Sequence, residues 1–489
     1  MTQFLMLIKN RFFIFAVAYS FLLALIFNYL FFDKEIGISW FIFIFLVVFG
    51  QFIIMLINKR FSLDSFVLLC LSLFFSLMIG YRESYLLNFL NFITTLLLLL
   101  LFIRLYCKPR IKQFVLSDYI FSWFVFPGQI IFKSVKTLNE NVQKLFGKKT
   151  SLSLPLIKGL LATAPLLIFF VILFVGADHS FRDFISNIFT FSVPDNVIGQ
   201  LLIIVAMFLI VFGYYIFSDV QQELVGSEKT QVSFTTEILR SRQLFLLTFI
   251  WPIVLLFLVF IVFQLKYLFG GIENNDLTYA EYARHGFWEL LVVTFISLVI
   301  LLLVDKYSEQ IKNRLTCFVV PGLLMIVELF IIVASALKRM ALYQDNYGWT
   351  LSRFYVVGFI VFLTIILLFL SIKILLNKNN GLFLSSILFS GLLFLIAFNV
   401  INPDKFVVIK NVNHYYKTGQ IDVNYLLTLS ADSIPELIKL TEKISNDDRV
   451  LLLEGLTFQK QSLVKMSSDW QSFNLSRWRG LVLLSEYLK

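Results

Sequence analysis

The densest set of side chains able to do chemistry lies in residues 276–289, DLTYAEYARHGFWE. Thr278 and Glu281 have the spacing of a capping box, and Leu277 with Tyr282 that of a hydrophobic staple. A helix is therefore expected to start at Thr278. On it, Glu281, Arg284, His285, Trp288 and Glu289 follow at steps that keep them on one face. Such a stripe can hold ion pairs, or supply a general base from Glu281 or His285. Glu289 would lie about 16 Å of helical rise from Thr278. In a membrane helix it must face protein or water, because lipid cannot solvate a carboxylate. Two readings stand side by side: an ion-paired clamp between helices, and a functional polar face.

Glu328 lies in the middle of the apolar run PGLLMIVELFIIVASALKRM. A charged carboxylate at the bilayer centre costs about 2.5 kcal/mol or more. No Lys or Arg lies within two turns on its own helix, so its partner must come from another helix. It is either a relay for protons or cations, or a neutral carboxyl hydrogen-bonded between helices. The following segment, 338–353, is expected to be a loop. It carries Lys338, Arg339 and Arg353 with Tyr343, Tyr347 and Trp349. Arg339 and Tyr343 are one helical turn apart, and paired guanidinium groups could grip phosphate. The aromatics also fit an interfacial belt.

Asp178, His179, Arg182 and Asp183 form a third polar cluster. The three histidines, His179, His285 and His414, share no ligand spacing, so no metal site is expected. Cys70, Cys107 and Cys317 form no paired motif. No phosphate-binding glycine loop, nucleophile elbow or HExxH helix occurs, and no cofactor is expected.

The elements that must position these groups follow from composition. Of 489 residues 59% are apolar, 15% are charged and 58 are Phe. Soluble domains are about one quarter charged. A soluble enzyme, a disordered chain and a nucleic-acid-binding module are excluded as main readings, and the formal charge of +10 is that of basic membrane loops. Windows long enough to span a bilayer lie near 13–32, 38–57, 65–80, 85–106, 155–176, 196–218, 243–266, 286–304, 317–338, 354–375 and 382–399. The fold class is all-α: a polytopic membrane bundle of about eleven spans with a small helical C-terminal soluble domain. The segment 111–132 is apolar but interrupted by Pro127 and Gly128, and is expected to be interfacial or re-entrant.

Lys and Arg collect at the N-terminus and in the loops 58–64, 104–158, 219–242, 305–316 and 373–381, while acids outnumber them in the alternate loops. The positive-inside bias puts the N-terminus in the cytoplasm and, after an odd number of spans, the tail outside. Four parts emerge: a four-helix membrane part at 1–110, a basic amphipathic stretch at 111–154, a seven-helix part at 155–401 and the tail at 402–489. In the tail, 402–404 (Asn-Pro-Asp) marks the exit from the last span. Ser433, Pro435 and Glu436 mark a helix entry, with Leu437, Leu440 and Ile444 on one face. Apolar runs at 450–453 and 481–484 would close a small bundle. Asn88, Asn91, Thr94 and Thr95 on the fourth span read as interhelical hydrogen-bonding groups.

Four runs carry a resemblance: TYAEYARHGFWEL (278–290), RMALYQDNYGWTLSR (339–353), NPD (402–404) and GQIDVNYLLTLSADSIPEL (419–437). In order and spacing, from about residue 155 to 440, the chain resembles a bacterial polytopic membrane family catalogued as domain of unknown function 4153, also listed as 4173. The resemblance implies a many-helix protein of bacterial envelopes, in the cytoplasmic membrane. It implies no activity and carries no catalytic residue.

The first functional expectation is a transporter- or channel-like protein. Its outer vestibule would use Asp178, Glu281, Arg284, His285, Glu289, Arg339, Tyr343, Tyr347 and Arg353, with Glu328 as the ionisable group at depth. Two alternatives stand beside it. One is a membrane enzyme working on a lipid-linked or envelope substrate. The other is a scaffold or sensor acting through the tail. The expected partners are the lipid bilayer, an anionic lipid or envelope ligand on the outer face, and a protein partner of the tail.

Overall fold

The computed structural model describes residues 2–57, 61–105, 110–146, 195–219, 236–269, 287–308, 314–377, 380–466 and 469–488. Among them every regular element is helical. The helices are α1 (Thr2–Phe31), α2 (Ile38–Ile57), α3 (Leu63–Tyr81), α4 (Tyr85–Arg104), α5 (Leu116–Ile120), α6 (Phe126–Phe146), α7 (Asp195–Asp219), α8 (Thr236–Phe269), α9 (Phe287–Ser308), α10 (Val320–Tyr347), α11 (Leu351–Leu376) and α12 (Asn380–Ile401). The tail adds α13 (Pro403–Thr418), α14 (Val423–Leu427), α15 (Ile434–Leu440), α16 (Asn446–Met466) and α17 (Leu475–Tyr487).

Eight helices among the described residues are long and apolar enough to cross a membrane, and two shorter apolar stretches, Leu246–Val262 and Leu291–Asp305, join them. Together they fall on ten of the expected spans. The remaining one, 155–176, lies outside the described residues. The chain is a multi-pass helical membrane protein.

Two local expectations change. Pro127 and Gly128 do not interrupt a helix: α6 begins at Phe126, directly after a π-helical turn at Phe121–Val125. Leu116–Ile120, this turn and α6 follow one another without a break, and the π-helical turn lies just before Pro127, where the helical ladder lacks an N–H. The segment 338–353 is mostly helix rather than loop, because α10 runs on to Tyr347 through residues of good helix propensity. Gly348, at φ +70°, ends it, which is a conformation that glycine adopts without steric cost. The connection to α11 is then only three residues long.

The chain divides into two compact units. The first comprises residues 1–34, 45–60 and 121–222, and the second 35–44, 61–120 and 223–489. In the first, Tyr19 donates to the Leu46 carbonyl (2.8 Å), Tyr215 to that of Val47 (2.9 Å), and Ser134 to that of Leu209 (2.7 Å). Buried hydroxyls thus tie apolar helices by bonds that lipid cannot compete for.

The second unit has two apolar cores. One lies along α8–α11, around Ile250, Met325, Leu329, Leu363 and Leu370. The other gathers Phe354 of α11 with Val407, Leu426, Leu437, Leu452 and Leu484 of the tail. Tail helices and a membrane helix therefore share one core, which helps a segment too short to bury much by itself. Between α4 and α12, Asn91 and Asn399 exchange two amide bonds of 2.9 Å each.

Candidate functional site

Contacts within the second unit sort its loops into two sets. Asp64 accepts from the Ile111 N–H (2.8 Å), and a Cβ on Gly381 would strike the Lys112 carbonyl. At α9 and α11, Asp305 takes Arg314 (2.6 Å) on one oxygen and Lys373 on the other, while Arg314 also bonds Asn377. In the other set, the joint before α2, the α3–α4 joint and the α10–α11 joint all meet the tail. The Ile38 N–H donates to Phe473 (2.8 Å), where a Cβ on Gly37 would lie 2.5 Å from the Ser472 backbone. The Leu351 N–H donates to the Tyr425 hydroxyl (2.7 Å), and the Trp349 N–H to Asn411 (2.9 Å).

The α3–α4 joint is where the tail is bound most tightly. Asp432 is its centre. Asp432 Oδ1 accepts from Arg82 Nη1 (3.2 Å), Asn402 Nδ2 (3.0 Å) and Ser476 Oγ (2.6 Å). Its Oδ2 accepts the Glu83 N–H (2.8 Å). Asn474 donates to the carbonyls of Ile79 (2.9 Å) and Arg82 (2.7 Å). Arg477 reaches Glu83 and Glu35, both at 2.7 Å. Burial pushes the Glu83 carboxyl above its ordinary value, with Arg477 pulling it down and Asp432 and Glu35 pushing the same way as burial.

Beside this hub lies a cavity of about 640 Å³. Its walls come from the α3–α4 joint and the start of α4 (83–86), one face of α11, Asp404, the 427–434 segment and α16. Much of the lining is apolar. Four lining side chains each keep a buried polar atom without a well-formed hydrogen bond: Asp404 Oδ2, Tyr355 Oη, Ser430 Oγ and Gln459 Oε1. The Ser84 hydroxyl still acts on both Asp404 and Tyr355, and the Ser430 hydroxyl on Asp404, so Gln459 Oε1 is the most isolated of the four. Asp404 is only 1% exposed, and its other oxygen accepts the Ser430 N–H (2.9 Å). Burial pushes its carboxyl above the ordinary value; the Ser430 N–H and the Ser84 and Ser430 hydroxyls pull it down, and Asp432 adds to the rise. Folded proteins seldom leave buried polar atoms unfilled, so four on one cavity is a mark of a site that expects a ligand or water. Tyr85, Leu86 and Phe458 stay largely exposed beside it.

The sequence-derived candidates are placed as follows. Asp178, Glu281, Arg284 and His285 lie outside the described residues, as does the expected cap at Thr278. Glu289 lies in the first turn of α9. Tyr343, Tyr347 and Arg353 come together. The two rings meet edge-on at 5.4 Å, and the Arg353 guanidinium lies 3.9 Å from the Tyr343 ring centre. Arg353 also donates to the carbonyls of Tyr347 (2.9 Å) and Gly348. It thereby binds the negative end of α10, which accounts for one cation on this side. Arg339 is half-buried one turn before Tyr343 on the same helix. Glu328 is buried in α10, and its Oε2 has no hydrogen-bond partner among the described residues.

Sequence reasoning missed the cavity. Asp404 was legible only as part of a helix start, which it also is: Asn402 caps α13 by accepting the Lys405 N–H (3.2 Å). Tyr355, Ser430 and Gln459 belong to no local motif. Their relation exists only after α11, the 427–434 segment and α16 have packed together.

Residues 65–440 match a family described as a domain of unknown function, DUF4153. The match begins well before the 155 expected from the motifs. It includes Tyr355, Asp404 and Ser430, while the α16 wall lies beyond it. No curated protein and no solved structure matches the chain.

Proposed function

The chain belongs to the DUF4153 family, and we propose that it is a membrane-embedded binding protein of the scaffold or sensor type. A ligand would enter the cavity, touching α4 and α11 on one side and α16 on the other, and so set how firmly the tail helices are held. The observation that carries this reading is the set of four buried polar atoms without a well-formed hydrogen bond on one largely apolar cavity. Its location favours an amphipathic ligand, since exposed apolar side chains lie beside it at the ends of membrane helices.

The loop sets support a topology with the N-terminus in the cytoplasm of a bacterial inner membrane. The set holding 58–64, 104–118, 305–316 and 373–381 is the basic one, so the tail and the cavity lie on the outer side. Single-cysteine labelling at Asn275 and Lys489 tests this. Labelling of both from outside is expected; protection of Lys489 would reverse the assignment of the tail.

The binding reading is tested by photolabelling the full chain with alkyl diazirine probes. Labels should fall in 427–434 and 458–466 and vanish in Ser462→Trp, which fills the cavity. Labelling that ignores Ser462→Trp sinks the reading.

A transport reading is favoured by one observation, the buried and unfilled Glu328 Oε2. It would place a proton or cation relay at depth, with Glu281, Arg284, His285, Glu289, Arg339 and Arg353 in an outer vestibule. Unchanged proton-coupled uptake in both Glu328→Gln and Glu289→Gln would count against it.

A further inference from the structure

We infer that the cavity binds an alkylammonium amphipath, a primary amine on an aliphatic chain with no phosphate beside the nitrogen. The inference rests on the binding reading above and names its ligand class. Three observations carry it.

The first is the kind of atom left unfilled. Asp404 Oδ2 and Gln459 Oε1 are acceptors, and the hydroxyls of Tyr355 and Ser430 can accept. A primary ammonium brings three N–H donors to such a wall, whereas an alcohol brings one. The second is charge. No Lys, Arg or His is among the residues lining the cavity, but Glu83 and Asp404 are. In the adjoining network Glu35, Glu83 and Asp432 share Arg82 and Arg477, and Asp404 has no cation within salt-bridge distance among the described residues. Four carboxyl groups thus stand against two guanidinium groups, and a cation at Asp404 would reduce that excess. An ammonium there would also offset the burial of Asp404, which is only 1% exposed. The third is the remaining wall. Leu351, Val356, Leu463 and Met466 supply an apolar lining for a chain. A phosphate beside the nitrogen would meet two carboxyl groups and no lining cation, which excludes the headgroup of phosphatidylethanolamine.

The test uses the full chain in phosphatidylcholine nanodiscs, whose own headgroup nitrogen carries no N–H. Diazirine-bearing dodecylamine, dodecanol and dodecanoate are compared by peptide mapping of photolabel in 427–434 and 458–466. Dodecylamine should label at about tenfold lower concentration than dodecanol, as expected for a hydrogen bond to a charged partner. Dodecanoate should not label. Asp404→Asn should remove the advantage of the amine over dodecanol, and Tyr355→Phe should reduce that advantage in part. Adding phosphatidylethanolamine to the discs should not compete. Equal labelling by amine and alcohol, an advantage that survives Asp404→Asn, or competition by phosphatidylethanolamine overturns this proposal and leaves the binding reading standing. No labelling of these segments by any of the three probes overturns both.

Discussion

Asp432 and Asp404 are both buried carboxylates of the tail, and they are built in opposite ways. Asp432 receives four hydrogen bonds, one of them from Arg82. Asp404 receives one well-formed bond, on Oδ1, and its Oδ2 has none; the Ser84 and Ser430 hydroxyls are its further, weaker partners on the cavity wall. A satisfied buried charge holds elements together. An unsatisfied one destabilises the fold slightly and persists where something else is to fill it. The hub around Asp432 is therefore read as structure, and the cavity beside Asp404 as function.

The largest effect should come from the hub. Asp432→Ala takes from Arg82 its carboxylate partner, leaving it the Asn399 carbonyl, and strands the Asn402 amide and the Glu83 N–H in a buried site. It should cost about 3–5 kcal/mol, the usual range when one partner of a buried pair is removed. Thermal unfolding of the purified chain checks this; a loss under about 1 kcal/mol would erase the contrast between the two carboxylates. Arg477→Ala comes next. It leaves Glu83 without its partner and should cost about 2 kcal/mol, within the range for hydrogen bonds to charged groups. Faster amide exchange across α17 should accompany it, because Arg477 lies in that helix. Unchanged exchange there would mean that apolar packing alone docks the tail.

A smaller effect is expected where neutral groups do the tying. A double-mutant cycle of Asn91→Leu and Asn399→Leu should give a coupling of about 0.6 kcal/mol, typical of hydrogen bonds between membrane helices. A coupling near zero would show that the amide pair is only a by-product of packing.

Asp404→Asn should have the smallest effect and the opposite sign. Burial raises the folded-state value of the Asp404 carboxyl above its ordinary 3.8. The folded chain then holds that proton more tightly than the unfolded chain. The resulting stability is complete below the unfolded value and is lost as pH rises through the raised folded value. At pH 7 the wild type should therefore melt slightly below Asp404→Asn, whose amide oxygen can still accept the Ser430 N–H. The gap should close as pH falls toward 4. A variant that melts lower than wild type at pH 7 would place Asp404 with Asp432 as a structural carboxylate.

Much of the fold was legible because it rests on local, periodic signals. Apolar runs longer than any soluble core marked the spans. The helix start at 402–404 stands as read, with Asn402 as the cap, and Leu437 and Leu440 face the tail core. Asn91 was recognisable as an interhelical group, though its partner was not. The site was much less legible. Arg353 was read as a ligand-binding cation, yet its nearest partners are carbonyls at the end of the preceding helix. That pairing depends on α10 running nine residues beyond its apolar window and on a three-residue turn, which composition alone does not specify.

The sequence by itself determined that this chain crosses a membrane many times on helices, which loops are basic, and that a mixed-polarity helical tail follows. These properties are sums over neighbouring residues, and hydrophobic transfer and helix propensity act on them directly. Only the tertiary structure decided which carboxylates are satisfied. Asp432 finds Arg82 across 350 positions of chain, and Asp404 shares a cavity wall with Tyr355 and Gln459. Hydrogen-bond satisfaction depends on where packed backbones bring distant groups to within about 3 Å. No local spacing encodes that distance.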